Sequence, residues 1–218
     1  MLAISPRERL IEPKTISIYN WPMTPYRSAS LDSLWFLIAL NAIIFLIEFV
    51  TGEGSAARSE LIPLLGLTPA LLPRQPWTIL SSMFVHATWW HIIVNMVSLY
   101  FLGSFLLRAV GERNFLAVFF AGGLMGNICY VAFGPSLTTA VGASGAIYAL
   151  GGTLAVLAPT VPVLVFPIPM PVPLWAAIVI FLFISFLPGI AWQAHLGGLL
   201  LGLVAGVLLR RGRRIYFF

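Results

Sequence analysis

From Leu34 to Val50 the chain runs LWFLIALNAIIFLIEFV, a stretch with one ionisable side chain, Glu48. An α-helix of about 20 apolar residues crosses the ~30 Å hydrocarbon core of a bilayer. Comparable runs recur at Trp89 to about Leu107, Asn114 to about Phe133, Ser144 to about Ala158, Leu174 to Leu187, and Trp192 to about Leu209. The fourth and fifth are short. Charged residues make up only 9% of the chain, against about 25% in soluble domains. So few charges cannot cover a water-facing surface. The prediction is an all-α integral membrane protein, a six-transmembrane-helix bundle in one domain over 32–209. A cytoplasmic N-terminal tail (1–31) and a basic C-terminal tail (210–218) flank it.

The connections are as informative as the spans. Thr51 to about Thr88 is long and itself apolar (LIPLLGL, ALLPRQPWTILSSMF). Structureless loops of that length are uncommon, so it is expected to fold back onto, or partly into, the membrane. Val161 to Pro173 carries five prolines and should not be helical. The first residues, with Arg7, Glu8, Arg9 and Glu12 before Pro13, lack the apolar core of a signal peptide. The net charge of +5 gathers at the ends of spans, which explains it without a nucleic-acid partner. With six spans, ten Lys and Arg fall on the side of the termini and two, Arg58 and Arg74, on the other. The positive-inside rule places both termini in the cytoplasm, most simply at a prokaryotic plasma membrane. The single cysteine, Cys129, reads as a small buried hydrophobe.

On this topology two span starts face outside together: Ser144 in VGASGAIYAL and His195 in AWQAHLGGLLLGLVAG. His195, Gly198, Gly202 and Gly206 are spaced 3, 4 and 4 and form one helical stripe. Small residues at spacing four let helix backbones approach closely in lipid. In the fourth span Ser144 and Tyr148 share a face, with Gly145 and Ala149 beside it. Packing of the two faces would bring the serine hydroxyl to the imidazole. A serine is a weak nucleophile until a base takes its proton, and neutral imidazole is suited to that task. Tyr148 would pack on the imidazole. Acyl transfer also needs donors for the developing oxyanion. His91 and Asn95, spaced four in HIIVN, and the Ser144 backbone N–H are the candidates. Serine in a membrane helix is usually a packing or back-bonding residue, and His91 and Asn95 read equally as helix-to-helix glue. An intramembrane histidine is a stronger functional signal.

In order along the chain, Trp77, FVHATWWHIIVN (Phe84 to Asn95), Gly103 with Gly111, GASGAIYAL (Gly142 to Leu150) and AHLGGLLLGL (Ala194 to Leu203) resemble the rhomboid family of intramembrane serine proteases. The resemblance implies a rhomboid-like bundle with a partly membrane-embedded first loop. It implies Ser144 as nucleophile and His195 as general base, with His91, Asn95 and the Ser144 N–H at the oxyanion. Tyr148 would stack on His195. Gly142 and Gly145 would open the backbone around Ser144, and Gly198 and Gly202 would permit the close helix crossing. His86 and Trp77 would be structural. Two positions depart from the family: Thr78 follows Trp77 where many members carry arginine, and Leu107 stands where many carry glutamate. No cofactor or metal is implied. The expected partners are transmembrane protein substrates and membrane lipids, with no nucleic acid; the oligomeric state is left open.

Other chemistries fit the residues less well. His86 and His91 lack the glutamate of a zinc HExxH helix, and Asp32 is the only aspartate. Ala146 occupies the last glycine of a GxSxG elbow. Glu48, the one acid within a span, reads as interfacial rather than as a third member of the site. A transporter would show inverted repeats and ionisable groups near the midplane, and no such repeat is found. A rhomboid-like pseudoprotease that binds or chaperones membrane proteins is the remaining alternative; such members typically lose the serine or the histidine.

Overall fold

A computed structural model describes residues 30–165 and 169–211. The expected tails, 1–31 and 210–218, lie almost entirely outside the described residues. Four helices are long and apolar enough to cross a membrane: α1 (Asp32–Thr51), α4 (Trp89–Val110), α5 (Glu112–Phe133) and α8 (Trp192–Arg211). Two shorter apolar helices, α6 (Ser144–Leu157) and α7 (Leu174–Ile184), complete the bundle. The helix at the second span continues past Leu107 to Val110, because hydrogen bonding and not hydropathy ends it. Gly111 then turns the chain with φ 85°, a backbone conformation that suits glycine, and α5 begins at once.

The connection after α1 is built from short pieces, α2 (Leu61–Leu65), α3 (Thr78–Ser81) and single 3₁₀ turns. It is tied to the segment between α5 and α6. Leu67 and Ala140 pair their backbones, Thr68 and Thr139 join hydroxyls at 2.8 Å, and the Ala70 N–H reaches Ser136 O. The proline-rich stretch after α6 is non-helical, with β1 (Pro162–Val163) pairing antiparallel to β2 (Val172–Pro173).

The core sits around α6, which packs on α8, α5, α4 and α7. No α6 residue is exposed. A helix apolar on every side has to be surrounded, and glycines let its neighbours come near. A Cβ on Gly198 would strike the Gly145 carbonyl, one on Gly202 the Ala149 carbonyl, and one on Gly206 would lie 2.9 Å from Thr153 O. The small-residue stripe of α8 therefore rides on Gly145, Ala149 and Thr153. The Thr153 hydroxyl lies within hydrogen-bond distance of Ala149 O (2.8 Å) and, across the interface, Gly202 O (3.0 Å). On the other flank, Gly122 abuts Ala149, and Gly126 fits between Ala194 O and Gly145. Cys129 packs on Gly197 between α5 and α8. The outer faces of α1, α4 and α8 carry exposed Phe36, Val50, Phe101, Leu200 and Val204, as lipid-facing surfaces do.

Candidate active site

Ser144 is the first residue of α6, and the chain reaches it through a backbone that only glycine adopts readily. Gly142 has φ +115°, and a Cβ there would lie 2.6 Å from His91 Nε2. Its N–H donates to Ser82 O at 2.8 Å. The first loop thus holds the turn from below while the His91 ring lies against it. The leading N–H groups of a helix have no partner within the helix, and the helix dipole makes that end positive. The Ser144 hydroxyl and backbone N–H both sit there.

His195 lies in the first turn of α8. Its Nε2 is 2.7 Å from Ser144 Oγ, 51 residues away in sequence. The Tyr148 ring stacks on the imidazole with centroids 4.4 Å apart and planes inclined by 20°. The other imidazole nitrogen, Nδ1, is 2.7 Å from Ser185 Oγ. Ser185 caps the C-terminal end of α7 and is 2% exposed. It also lies 2.7 Å from the Tyr148 hydroxyl. The sequence pattern did not single out Ser185; a serine at the end of an apolar helix carries no signal until its neighbours are known.

His91 enters from α4. The Thr88 hydroxyl accepts the His91 N–H at 3.1 Å, as a helix N-cap does, and so fixes the first turn that carries the ring. The Asn95 amide nitrogen donates back to His91 O at 2.9 Å. The structure therefore brings His91 to the Ser144 turn, while one Asn95 N–H is engaged within its own helix. The His86 ring meets His91 edge-on at 4.9 Å. Burial first, and then the neighbouring His91, push the His86 imidazole down to about 3, so it is uncharged at neutral pH.

Glu48 is covered by protein. It is fully buried, and its Oε2 accepts the His86 backbone N–H at 3.1 Å; the first loop has folded back over it. Its partner is that loop, not His195. Trp77 donates its indole N–H to Leu64 O at 2.9 Å, and the Thr78 hydroxyl donates to Gln75 O at 2.7 Å, both within the first loop. Leu107 is wholly buried in the main core. A small cavity beside Ser144 is lined by Met83, Gly123, Asn127, Gly142 and Ala194 among others. Asn127 donates to Ile79 O (2.8 Å) and Ser82 Oγ (2.9 Å), fastening α5 to the first loop. Its signal was an amide within the apolar run AGGLMGNICY. Among the described residues no three His, Cys, Asp or Glu side chains are grouped to hold a metal ion.

The arrangement lies inside a region of known type: the family model described as the rhomboid domain matches residues 73–212. The chain belongs to the rhomboid family. The matched rhomboid region contains His91, Asn95, Ser144, Tyr148, Ser185 and His195, and leaves α1 outside. The chain is 29% identical over 152 residues to "Rhomboid protein 1, mitochondrial" of Saccharomyces cerevisiae, covering 59% of this chain and 40% of that protein. It is 27% identical over 143 residues to "Rhomboid-like protease 3" of Toxoplasma gondii, covering 64% and 54%. A third rhomboid relative, 30% identical over 82 residues (36% and 23%), is named "Inactive RHOMBOID-like protein 8" in Arabidopsis thaliana. The chain spans about half the length of the first two relatives.

Proposed function

We propose that the protein is an intramembrane serine endopeptidase that cleaves transmembrane segments of membrane proteins. The observation that carries this reading is the 2.7 Å contact between Ser144 Oγ and His195 Nε2 inside a rhomboid domain. Ser144 Oγ attacks the scissile carbonyl carbon as its proton passes to His195 Nε2. The C–N bond of the tetrahedral intermediate then breaks, and the leaving amine takes that proton. An acyl-enzyme remains. Water, giving a proton to the same nitrogen, attacks the ester, and collapse returns the proton to Ser144. The oxyanion is held by the Ser144 N–H at the start of α6, by His91, and by the second N–H of Asn95. Gly142 and Gly145 keep that end of α6 open, and Gly198 and Gly202 hold α8 against it.

The bundle crosses the membrane six times, α6 and α7 being the fourth and fifth crossings. Fourteen helical residues in α6 rise only about 21 Å, roughly 9 Å short of the hydrocarbon thickness. That shortfall supports a nucleophile at the start of α6 that lies below the membrane surface, with water entering from the same side. The exposed Leu64, Trp77 and Leu80 support a first loop partly embedded in lipid. Substrates would have small residues at the cleaved bond and a helix that unwinds, since a hydrogen-bonded helix hides its carbonyls. The charge bias supports both termini on the cytoplasmic side. A prokaryotic plasma membrane does not follow from the relatives, one of which is named mitochondrial.

The inactive name of one relative favours a second reading, a rhomboid-like protein that binds membrane proteins without cutting them. The experiment is cleavage of a fluorescent transmembrane-segment substrate by purified protein in liposomes beside Ser144→Ala. Cleavage that vanishes in the variant is expected. Cleavage that persists in it would overturn the assignment of Ser144.

A further inference from the structure

Ser185 stands where a third member of the site would stand, and its hydrogen-bond partners are determined by a count of protons. A serine hydroxyl has one proton to donate and can accept twice. Three groups lie within reach of Ser185 Oγ: Phe181 O at 2.9 Å, the Tyr148 hydroxyl at 2.7 Å and His195 Nδ1 at 2.7 Å. A carbonyl only accepts, so a serine bonded to Phe181 O has given away its proton, as serines do to the carbonyl four residues back in a helix. The other two partners must then donate. Tyr148 donates its phenolic proton, and His195 donates from Nδ1. Imidazole carrying its proton on Nδ1 presents a bare lone pair at Nε2, and Nε2 is the atom facing Ser144.

We propose that Ser185, held by Phe181 O and the Tyr148 hydroxyl, is a positioning residue that fixes the tautomer of His195 and keeps its basic nitrogen aimed at Ser144. The proposal rests on the protease reading above for its consequence, but not for its geometry. It turns what reads as a Ser–His pair into a relay of four side chains, Ser144, His195, Ser185 and Tyr148, contributed by α6, α8 and the end of α7. The relay needs no rearrangement during reaction. When His195 takes the Ser144 proton, Nδ1–H goes on donating to Ser185 Oγ. Tyr148 holds the ring twice, by stacking on its face and by bonding the serine at its edge. The competing arrangement has Ser185 donating to Nδ1. It places the imidazole proton on Nε2 and leaves Ser144 without a base.

The test reads the tautomer directly. Nitrogen-15 shifts of histidine-labelled full-length protein in detergent report which ring nitrogen is protonated. The chain has three histidines, so the His195 signals are those lost in His195→Asn. The expected result is a protonated Nδ1 and a bare Nε2 in the unmodified protein, and a mixture of the two tautomers in Ser185→Ala. The rate of fluorophosphonate labelling at Ser144 should fall roughly 10- to 100-fold in Ser185→Ala, less than the ~10⁴ lost when a buried aspartate orienter is replaced. With a cleavable substrate the loss should fall on kcat and leave KM unchanged, because Ser185 touches no substrate. Ser185→Thr keeps the hydroxyl and should restore both tautomer and rate to within about threefold, the size of a minor hydrogen-bond change. Proton on Nε2 in the unmodified protein would overturn the proposal, as would Ser185→Ala with unchanged tautomer and rate. If Ser185→Ala does not fold, the unmodified and threonine proteins still decide it. A protonated Nδ1 without labelling at Ser144 would uphold the positioning and overturn the protease reading.

Discussion

The half of the molecule made by α5, α6, α7 and α8 differs from the half made by α1, the first loop and α4 in how it treats buried polar groups. In the first half Ser144, Tyr148, Thr153, Ser185 and His195 all have hydrogen-bond partners, and the backbones touch through glycine. In the second, Ser33, Asn41, Glu48, Gln75, His86 and Asn95 each keep a buried polar atom that pairs with no protein group among the described residues. Between α1 and α4 the contact runs through side chains: Gly103 faces the tip of Leu34. Buried polar groups pair with protein or with ordered water. The satisfied groups surround Ser144, and of the unpaired ones His86 and Asn95 adjoin the site through His91. The hydrolase proposed above would need both: a nucleophile and base that do not drift, and polar groups that tolerate water.

The largest effect should come from the fixed half. On the proposed chemistry, Ser144→Ala and His195→Ala should each lower cleavage by about 10⁴-fold or more, on the scale of nucleophile or base removal in serine hydrolases. Thermal unfolding and gel filtration should stay unchanged. Loss of activity through misfolding would show that these two side chains hold the fold rather than perform the chemistry. Next in size is Asn95→Ala. If Asn95 serves the oxyanion, turnover should fall by roughly 10²–10³ at unchanged KM; an unaltered rate would return Asn95 to a packing role.

The two halves can then be set against each other with one added methyl group. Gly198→Ala drives a Cβ into the Gly145 carbonyl, a backbone atom on a buried helix, whereas Gly103→Ala meets side chains, those of Leu34, Phe115 and Leu99. Overpacking costs about 1–3 kcal/mol, and Gly198→Ala should reach the upper end with a clearly lowered Tm. Gly103→Ala should stay near the lower end, and equal shifts would show that backbone contact is not what separates the halves. The smallest effect is expected for Glu48→Gln. Glu48→Gln keeps an acceptor for the His86 N–H and should change stability by less than about 1 kcal/mol, while Glu48→Leu strands that donor at about 1–3 kcal/mol. Chemical denaturation of the two variants separates them.

What could be read from the sequence divides along the same line. The α6–α8 contact was legible because glycine spacing on one helix states which face is tight, and because serine and histidine in apolar runs stand out against their surroundings. The α5 glycines, Gly122 and Gly126, are also spaced four, in AGGLMGN, but that short pair lacks the length of the α8 stripe and a histidine to mark its face. Ser185 and Glu48 were not legible for a different reason. Their meaning depends on groups far away in sequence: His195 for one, and the backbone of a loop that folds back over α1 for the other. Helix ends were blurred where local geometry and not hydropathy stops the helix, as at Gly111 after α4 and at Ser185 after α7.

On the proposed chemistry, Ser144 is a nucleophile because His195 activates it. Mass spectrometry of the intact folded protein after reaction with a fluorophosphonate tests this most directly, with His195→Ala in parallel. An adduct on Ser144 is expected in the unmodified protein and none in the variant. An unlabelled Ser144 in folded, unmodified protein, or equal labelling in His195→Ala, would contradict it.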